Sequence, residues 1–163
     1  MESLYNFTYD QMKELAQDYG WKPFRGHQIF QWLYREGATE IDQMTNLSKD
    51  ARQLLSQHYT IQPLRLIDRQ VAKDGTTKFL LETKDGDTLE SVLMVFDYGN
   101  SVCVSSQIGC NMGCDFCASG LTKKKRDCSA AEMVAQVMFV QEYLKEKDQR
   151  LSHIVVMGTG EPF

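Results

Sequence analysis

Three of the five cysteines fall in one short run, Gly109-Cys110-Asn111-Met112-Gly113-Cys114-Asp115-Phe116-Cys117, a C-x3-C-x2-C array. No other stretch restricts the fold as strongly. Glycines at 109 and 113 leave the backbone free to turn, so the three sulfurs are expected to converge on one point. Thiolates that close repel one another unless a cation lies between them. A structural zinc site takes four protein ligands. Three cysteines suit instead a cubane iron–sulfur cluster, with three irons held and the fourth left open. A zinc knuckle and three ordinary buried cysteines are the alternative readings.

The chain has 163 residues, 42% hydrophobic and 25% charged, which suits a globular protein of one domain or of a small domain plus part of another. No apolar run approaches the roughly 20 residues that span a bilayer. Met1-Glu2-Ser3-Leu4-Tyr5 lacks the basic and apolar segments of a signal peptide. A cytoplasmic location with no membrane partner is the expectation, and clustered cysteines in a reducing compartment point to metal rather than disulfides. The net charge of −4 predicts no nucleic-acid binding by itself, so any such role must rest on a local patch.

The first sixty residues read as helical. Thr8 and Gln11 form a capping box for a helix to about Tyr19, stopped by Gly20. Met12, Leu15, Ala16 and Tyr19 share one face. A second helix starts near Phe24-Arg25 and ends at Gly37, and Ser48 caps a third that carries Ala51, Leu54 and Leu55. Trp21 and Trp32 are assigned to core packing. After Gln62-Pro63 the period changes. Leu64 to Lys73, Lys78 to Thr83 and Thr88 to Phe96 read as strands joined by turns at Asp74-Gly75 and Asp85-Gly86.

Gly99-Asn100 leads into a strand over 101–107, with Val102 and Val104 on one face and Cys103, Ser105 and Gln107 on the other. The cysteine loop follows. Ser129 and Glu132 form a second capping box, opening a helix with Met133, Val134, Val137, Met138 and Val140, to about Lys147. Ser152 to Met157 is a strand that runs into Gly158-Thr159-Gly160-Glu161-Pro162. Strand, helix, strand is a βαβ unit with parallel strands, whose C-terminal ends carry chemistry. The fold class is therefore α/β. It comprises a small helical accessory domain (1–62), a β-hairpin connector (63–98) and the β-α-β start of a partial (β/α) barrel (99–163). Because Phe163 follows directly on the second parallel strand, the chain is read as the N-terminal part of a longer protein.

The cysteine array, with Phe116 before its last cysteine, resembles the signature of radical S-adenosylmethionine (SAM) enzymes. Further runs carry a closer resemblance: Lys22-Pro23-Phe24-Arg25, Met44-Thr45-Asn46-Leu47-Ser48, Asp74-Gly75-Thr76-Thr77-Lys78, Leu89-Glu90-Ser91-Val92-Leu93-Met94, Val102-Cys103-Val104-Ser105-Ser106-Gln107 and Gly158-x-Gly160-Glu161-Pro162. Together they are similar, in order and spacing over nearly the whole chain, to the RlmN-type dual-specificity RNA methyltransferases. Members methylate carbon 2 of an adenine in 23S rRNA and of an adenine beside the anticodon in some tRNAs.

The resemblance implies a site. Cys110, Cys114 and Cys117 would hold a [4Fe-4S] cluster whose open iron chelates SAM, and Gly160 and Glu161 would contact SAM at its methionine end. Cys103, seven residues before Cys110, would be the resolving cysteine that breaks a covalent protein–RNA adduct by forming a disulfide, which requires an accessible, readily deprotonated thiol. Glu90 would accept the carbon-2 proton. Read without the family, Cys103 is a buried strand cysteine, and Glu90 and Glu161 are solvated carboxylates.

The resemblance further implies 23S rRNA and tRNA as partners, an external flavodoxin-like one-electron reductant and a monomer at full length. The methyl-carrying cysteine is absent, since no cysteine follows Cys128, so these residues alone are expected not to methylate RNA. Lys123-Lys124-Lys125-Arg126 is the one dense basic run, offered either to RNA phosphates or to solvent. It departs from the family pattern, as does Thr159, where relatives carry a bulkier apolar residue. Cys128, His27, His58 and His153 receive no role. Two competing functions remain: methylation of carbon 8 of the same rRNA adenine, and a non-enzymatic zinc-dependent RNA-binding module.

Overall fold

The computed structural model describes residues 1–163 and divides into two compact units, Met1–Pro63 and Leu64–Phe163. In the first, strand β1 (Glu2–Ser3) pairs in parallel with β2 (Tyr59–Thr60), and three helices lie between them in sequence. Helix α1 (Tyr9–Asp18) opens with both halves of the capping box: the Thr8 hydroxyl accepts from Gln11 N–H, and the Gln11 amide accepts from Thr8 N–H. Helix α2 (Phe24–Gln31) widens into a π-helical turn over Trp32–Glu36, and Gly37 closes it in the left-handed region. Helix α3 (Lys49–His58) is capped by Ser48.

The core of this unit is aliphatic. Leu4, Met12, Ile29, Leu33, Met44 and Leu55 are fully buried. Trp21 and Trp32 are not in it. Both are only half-buried, Trp21 stacked on Tyr19 and Trp32 donating from Nε1 to Asn46 Oδ1 at 2.7 Å. Their polar edges make an interfacial position cheaper than the interior.

The second unit is built on a five-stranded sheet in the order β3 (Leu64–Val71), β4 (Thr77–Thr83), β5 (Thr88–Phe96), β6 (Gly99–Cys103), β9 (Leu151–Val155). The first four strands are antiparallel and β6–β9 is parallel. Thus the three strands of 64–96 share one sheet with the β-α-β segment. Two further strands, β7 (Gln107–Ile108) and β8 (Arg126–Asp127), pair antiparallel and pinch together the ends of the cysteine loop.

Helix α4 (Ala130–Lys145) begins with a complete capping box between Ser129 and Glu132 and connects the parallel strands. It packs on the face of the sheet that holds Phe79, Leu81, Leu89, Ser91 and Leu93, with Phe79 edge-on to Phe139 and Tyr143. The helix is apolar on nearly every side, so the sequence pattern does not distinguish its inner face. The buried residues are Ala131, Glu132, Ala135, Gln136, Val140 and Leu144, whereas Met133, Val134, Val137 and Met138 are half-buried on other sides.

The strand expected over 101–107 stops at Cys103. Its alternation of apolar and polar faces does not translate into inside and outside, because Val102, Val104, Ser105 and Gln107 are all buried. The polar side chains are covered because partners from β5, α4 and the 158–161 segment satisfy them.

Candidate functional site

The C-terminal ends of β6 and β9 lie side by side, as parallel pairing requires, and the chain leaving each strand bonds to the other. Gly158 N–H donates to Val104 O at 3.0 Å, and Ser106 and Gln107 N–H both donate to Thr159 O, at 3.0 and 3.1 Å. The Gln107 side chain completes the link, accepting from Glu161 N–H at 3.2 Å and donating to Glu161 O at 3.0 Å. Gly160 sits at φ +111, and a Cβ there would come within 2.6 Å of Gln107 Cβ. Only glycine fits such a crossing. Gly160 and Glu161 are thereby held against the residues that lead into the cysteine loop.

That loop is closed at its base. Cys110 N–H donates to Thr122 O, Lys125 N–H to Ile108 O, and Lys124 N–H to the Asn111 side chain. Gly109, at φ +74, passes so close to the opposite limb that a Cβ would meet Lys123 O at 2.2 Å. Cys110 is buried at the loop entrance, while Cys114 and Cys117 are exposed. The expected convergence of three sulfurs is not present: no group of three or more His, Cys, Asp or Glu side chains is arranged to hold a metal ion. The glycines explain the difference. Gly109 serves the crossing with Lys123, and Gly113 lies in open space on an exposed stretch that packs against little.

The donor chemistry nevertheless fits a cluster. Cys110 Sγ accepts from Met112 N–H at 3.4 Å. The Ser119 hydroxyl, with the backbone N–H groups of Ser119 and Gly120, holds the Cys117 thiol below its ordinary range although slight burial opposes them. Hydrogen bonds to sulfur of this kind are what cluster-ligating thiolates receive.

Glu90 projects from the face of β5 opposite Leu89 and Ser91, and pairs with Lys78 Nζ at 3.0 Å. It lines a cavity of about 560 Å³ with Asp87, Gly109, Ser119, Lys123 and Thr159, a size that suits a small-molecule ligand. Cys103 lies on the same face of the sheet, since it pairs directly with Val92. The thiol is half-buried, and burial pushes it above the ordinary cysteine value although Met157 N–H partly offsets this. Burial thus works against the ready ionisation expected of a resolving thiol. All five cysteines are free.

The basic run is largely spent within the chain. Lys124 pairs with Asp127 at 2.8 Å and Lys125 with Asp87 at 2.5 Å. Arg126 is bidentate to Glu132 at 2.9 Å and also faces Asp85 and Asp87. Glu132 shows the balance of forces. Burial alone would raise its pKa, but the Arg126 guanidinium and Ser129 N–H hold it below the ordinary glutamate value. Lys123 alone of the four has no acidic partner, and the charges of the other three are offset by neighbouring carboxylates. Periodicity gives no sign of the buried polar residues Ser91, Ser105 and Gln136; the only local signal is a glutamine amid the apolar run Met133 to Val140 of α4.

Residues 2–61 match the family model of the ribosomal RNA large subunit methyltransferase N-terminal domain. A probable dual-specificity RNA methyltransferase RlmN of Staphylococcus epidermidis is 51% identical over 162 residues, covering 99% of this chain and 44% of the relative. The Staphylococcus haemolyticus and Staphylococcus aureus proteins of the same name align equally well. The chain therefore spans somewhat less than half the length of these relatives. Among solved structures, a radical SAM methyltransferase from Sphaerobacter thermophilus superposes with a TM-score of 0.95 at 40% identity, covering 100% of this chain and 48% of that one. With the cysteine loop and the strand-end motif both in place on a shared fold, the chain is similar, over nearly its whole length, to part of the RlmN-type dual-specificity RNA methyltransferases and of a radical SAM methyltransferase.

Proposed function

We propose that the protein containing this chain methylates carbon 2 of adenine in 23S rRNA and tRNA, and that this chain supplies its cluster loop and part of its SAM site. The observation that carries the reading is the bonding of the Gly158–Glu161 strand end to the base of the cysteine loop, with Glu90 facing the same cavity. That arrangement supports one site served by two parallel strands, as expected where loops at C-terminal strand ends carry chemistry.

Cys110, Cys114 and Cys117 would hold the [4Fe-4S] cluster, and the groups near Gly160 and Glu161 would take the methionine end of SAM. Bound there, the cluster and SAM supply one-electron reduction of the sulfonium. Glu90 would remove the carbon-2 proton, and Lys78 keeps a cation beside its carboxylate. Cys103 would form the resolving disulfide. Because burial disfavours its thiolate, a nearby base would help to remove the proton when it acts. RNA is the proposed partner, with a one-electron reductant as the external electron source. Nucleoside mass spectrometry of 23S rRNA and tRNA from cells with and without the gene tests the reading. Gene-dependent 2-methyladenosine is expected, and 8-methyladenosine or an unchanged nucleoside profile would overturn it.

A further inference from the structure

We propose that Ser105, gripped by Gln136, is a positioning residue that locks the strand bearing Glu90 to the loop bearing Gly160 and Glu161. The last pair between β5 and β6 is Val92–Cys103, and beyond it the two strands no longer bond to each other. Ser105 takes over. Its Oγ donates to Glu90 O at 2.7 Å and accepts from Thr159 N–H at 2.9 Å. The polarity has one solution, because a carbonyl can only accept and an amide N–H can only donate. One hydroxyl thus joins two segments whose residues stand far apart in the chain.

Ser105 is held in turn by its own peptide groups. Its N–H donates to Gln136 Oε1 at 2.8 Å, and Gln136 Nε2 donates to Ser105 O at 2.9 Å. The glutamine side chain therefore stands in for the strand neighbour that Ser105 lacks. Its remaining bonds, from Ser91 Oγ at 2.7 Å and to Glu132 O at 3.2 Å, leave the amide one orientation. Ser91, Ser105 and Gln136 are each fully buried, so no solvent competes for these bonds. The fit extends to Gly158, where a Cβ would come within 2.6 Å of Ser105 Oγ.

Gln136 and Ser105 do not themselves line the cavity, so their influence on the site runs through Glu90 and Thr159, which do and which Ser105 holds. The link to SAM rests on the function proposed above, whereas the link between segments does not. The experiment uses the cluster-loaded, full-length protein that carries this chain and its Ser105→Ala variant. Two quantities are read: SAM affinity by equilibrium dialysis, and hydrogen–deuterium exchange by segment. The expected result is about tenfold weaker SAM binding and at least tenfold faster exchange over residues 158–161. Iron content and exchange over 77–83 should remain at parental values, which a general loss of structure would not allow.

Parental SAM affinity and parental exchange over 158–161 would overturn the proposal. If the parent itself binds no SAM, the proposed function fails while the exchange arm still judges the link. If Ser105→Ala unfolds, the unmodified protein decides: Thr159 N–H must then exchange at least a hundredfold slower than an open amide, and free exchange there would overturn the proposal.

Discussion

Glu90 and Cys103 occupy one face of neighbouring antiparallel strands, Cys103 directly opposite Val92 and Glu90 two residues before Val92 in β5. That diagonal brings long side chains within reach of each other across the pair. The face is the one that α4 does not cover, so both residues look away from the packed side of the sheet. A carboxylate and a thiol set on such a diagonal are placed to act on one bound base in the roles proposed above.

Replacing Glu90 with Gln keeps the side chain's shape and removes its basicity. Turnover in the full-length protein is expected to fall by about 10²–10⁴-fold, the range for losing a positioned general base. Stability should change by less than about 1 kcal/mol, because the Glu90–Lys78 pair is half-exposed. Single-turnover assays with RNA, alongside thermal unfolding, check both. Unchanged turnover would remove Glu90 from the chemistry.

The thiols are expected to separate by reactivity in the metal-free chain. Cys114 and Cys117 are exposed and should alkylate first at neutral pH, Cys117 aided by the Ser119 contacts. Cys103 should lag, since burial raises its pKa. Cys128 is pushed up to about 11 by burial and the nearby Glu132 charge, so its rate should still be climbing at alkaline pH. Peptide mapping after timed iodoacetamide labelling gives the order.

Arg126 ties the loop to α4 through Glu132, and Arg126→Met should cost about 1–3 kcal/mol by leaving a buried carboxylate without its partner. The sign of the pH dependence follows from the direction of the Glu132 shift. Its folded pKa lies below the unfolded one, so the stabilisation is full above the ordinary glutamate value and is lost as pH falls through the lower folded value. Thermal midpoints taken from neutral pH into acid should drop further for the parent than for Arg126→Met, which has already lost the pair.

Gly160→Ala introduces a Cβ against Gln107 at a backbone angle that L-residues rarely adopt. The residues leading into the cysteine loop and the Gly158–Glu161 segment should separate. SAM binding is expected to fall at least tenfold while β3–β5 retain their amide protection, which equilibrium dialysis and hydrogen exchange report.

Much of this architecture was legible because it is written locally. Thr8, Ser48 and Ser129 each announce a helix by a side-chain oxygen three residues before the amide it caps, and the structure contains all three bonds. The β-hairpins and the parallel β6–β9 pair were equally readable from period and turn residues. What escaped was set by distant partners. Burial of Ser91, Ser105 and Gln107 depends on Gln136 and the 158–161 segment, which no local pattern reveals. The neutralised basic run depends on Asp87 and Glu132, far from it in sequence or one helical turn inside α4. Cysteine spacing suggests ligand types but does not fix the sulfur positions, because an exposed loop with few contacts takes its shape from more than spacing.

The most direct test of the central claim is the metal and sulfide content of the full-length protein after anaerobic reconstitution, compared with Cys110→Ala, Cys114→Ala and Cys117→Ala. About four irons and four sulfides per chain, lost in each variant, are expected for a [4Fe-4S] cluster held by these three residues. One zinc per chain without sulfide, or iron retained in any of the three variants, would contradict it.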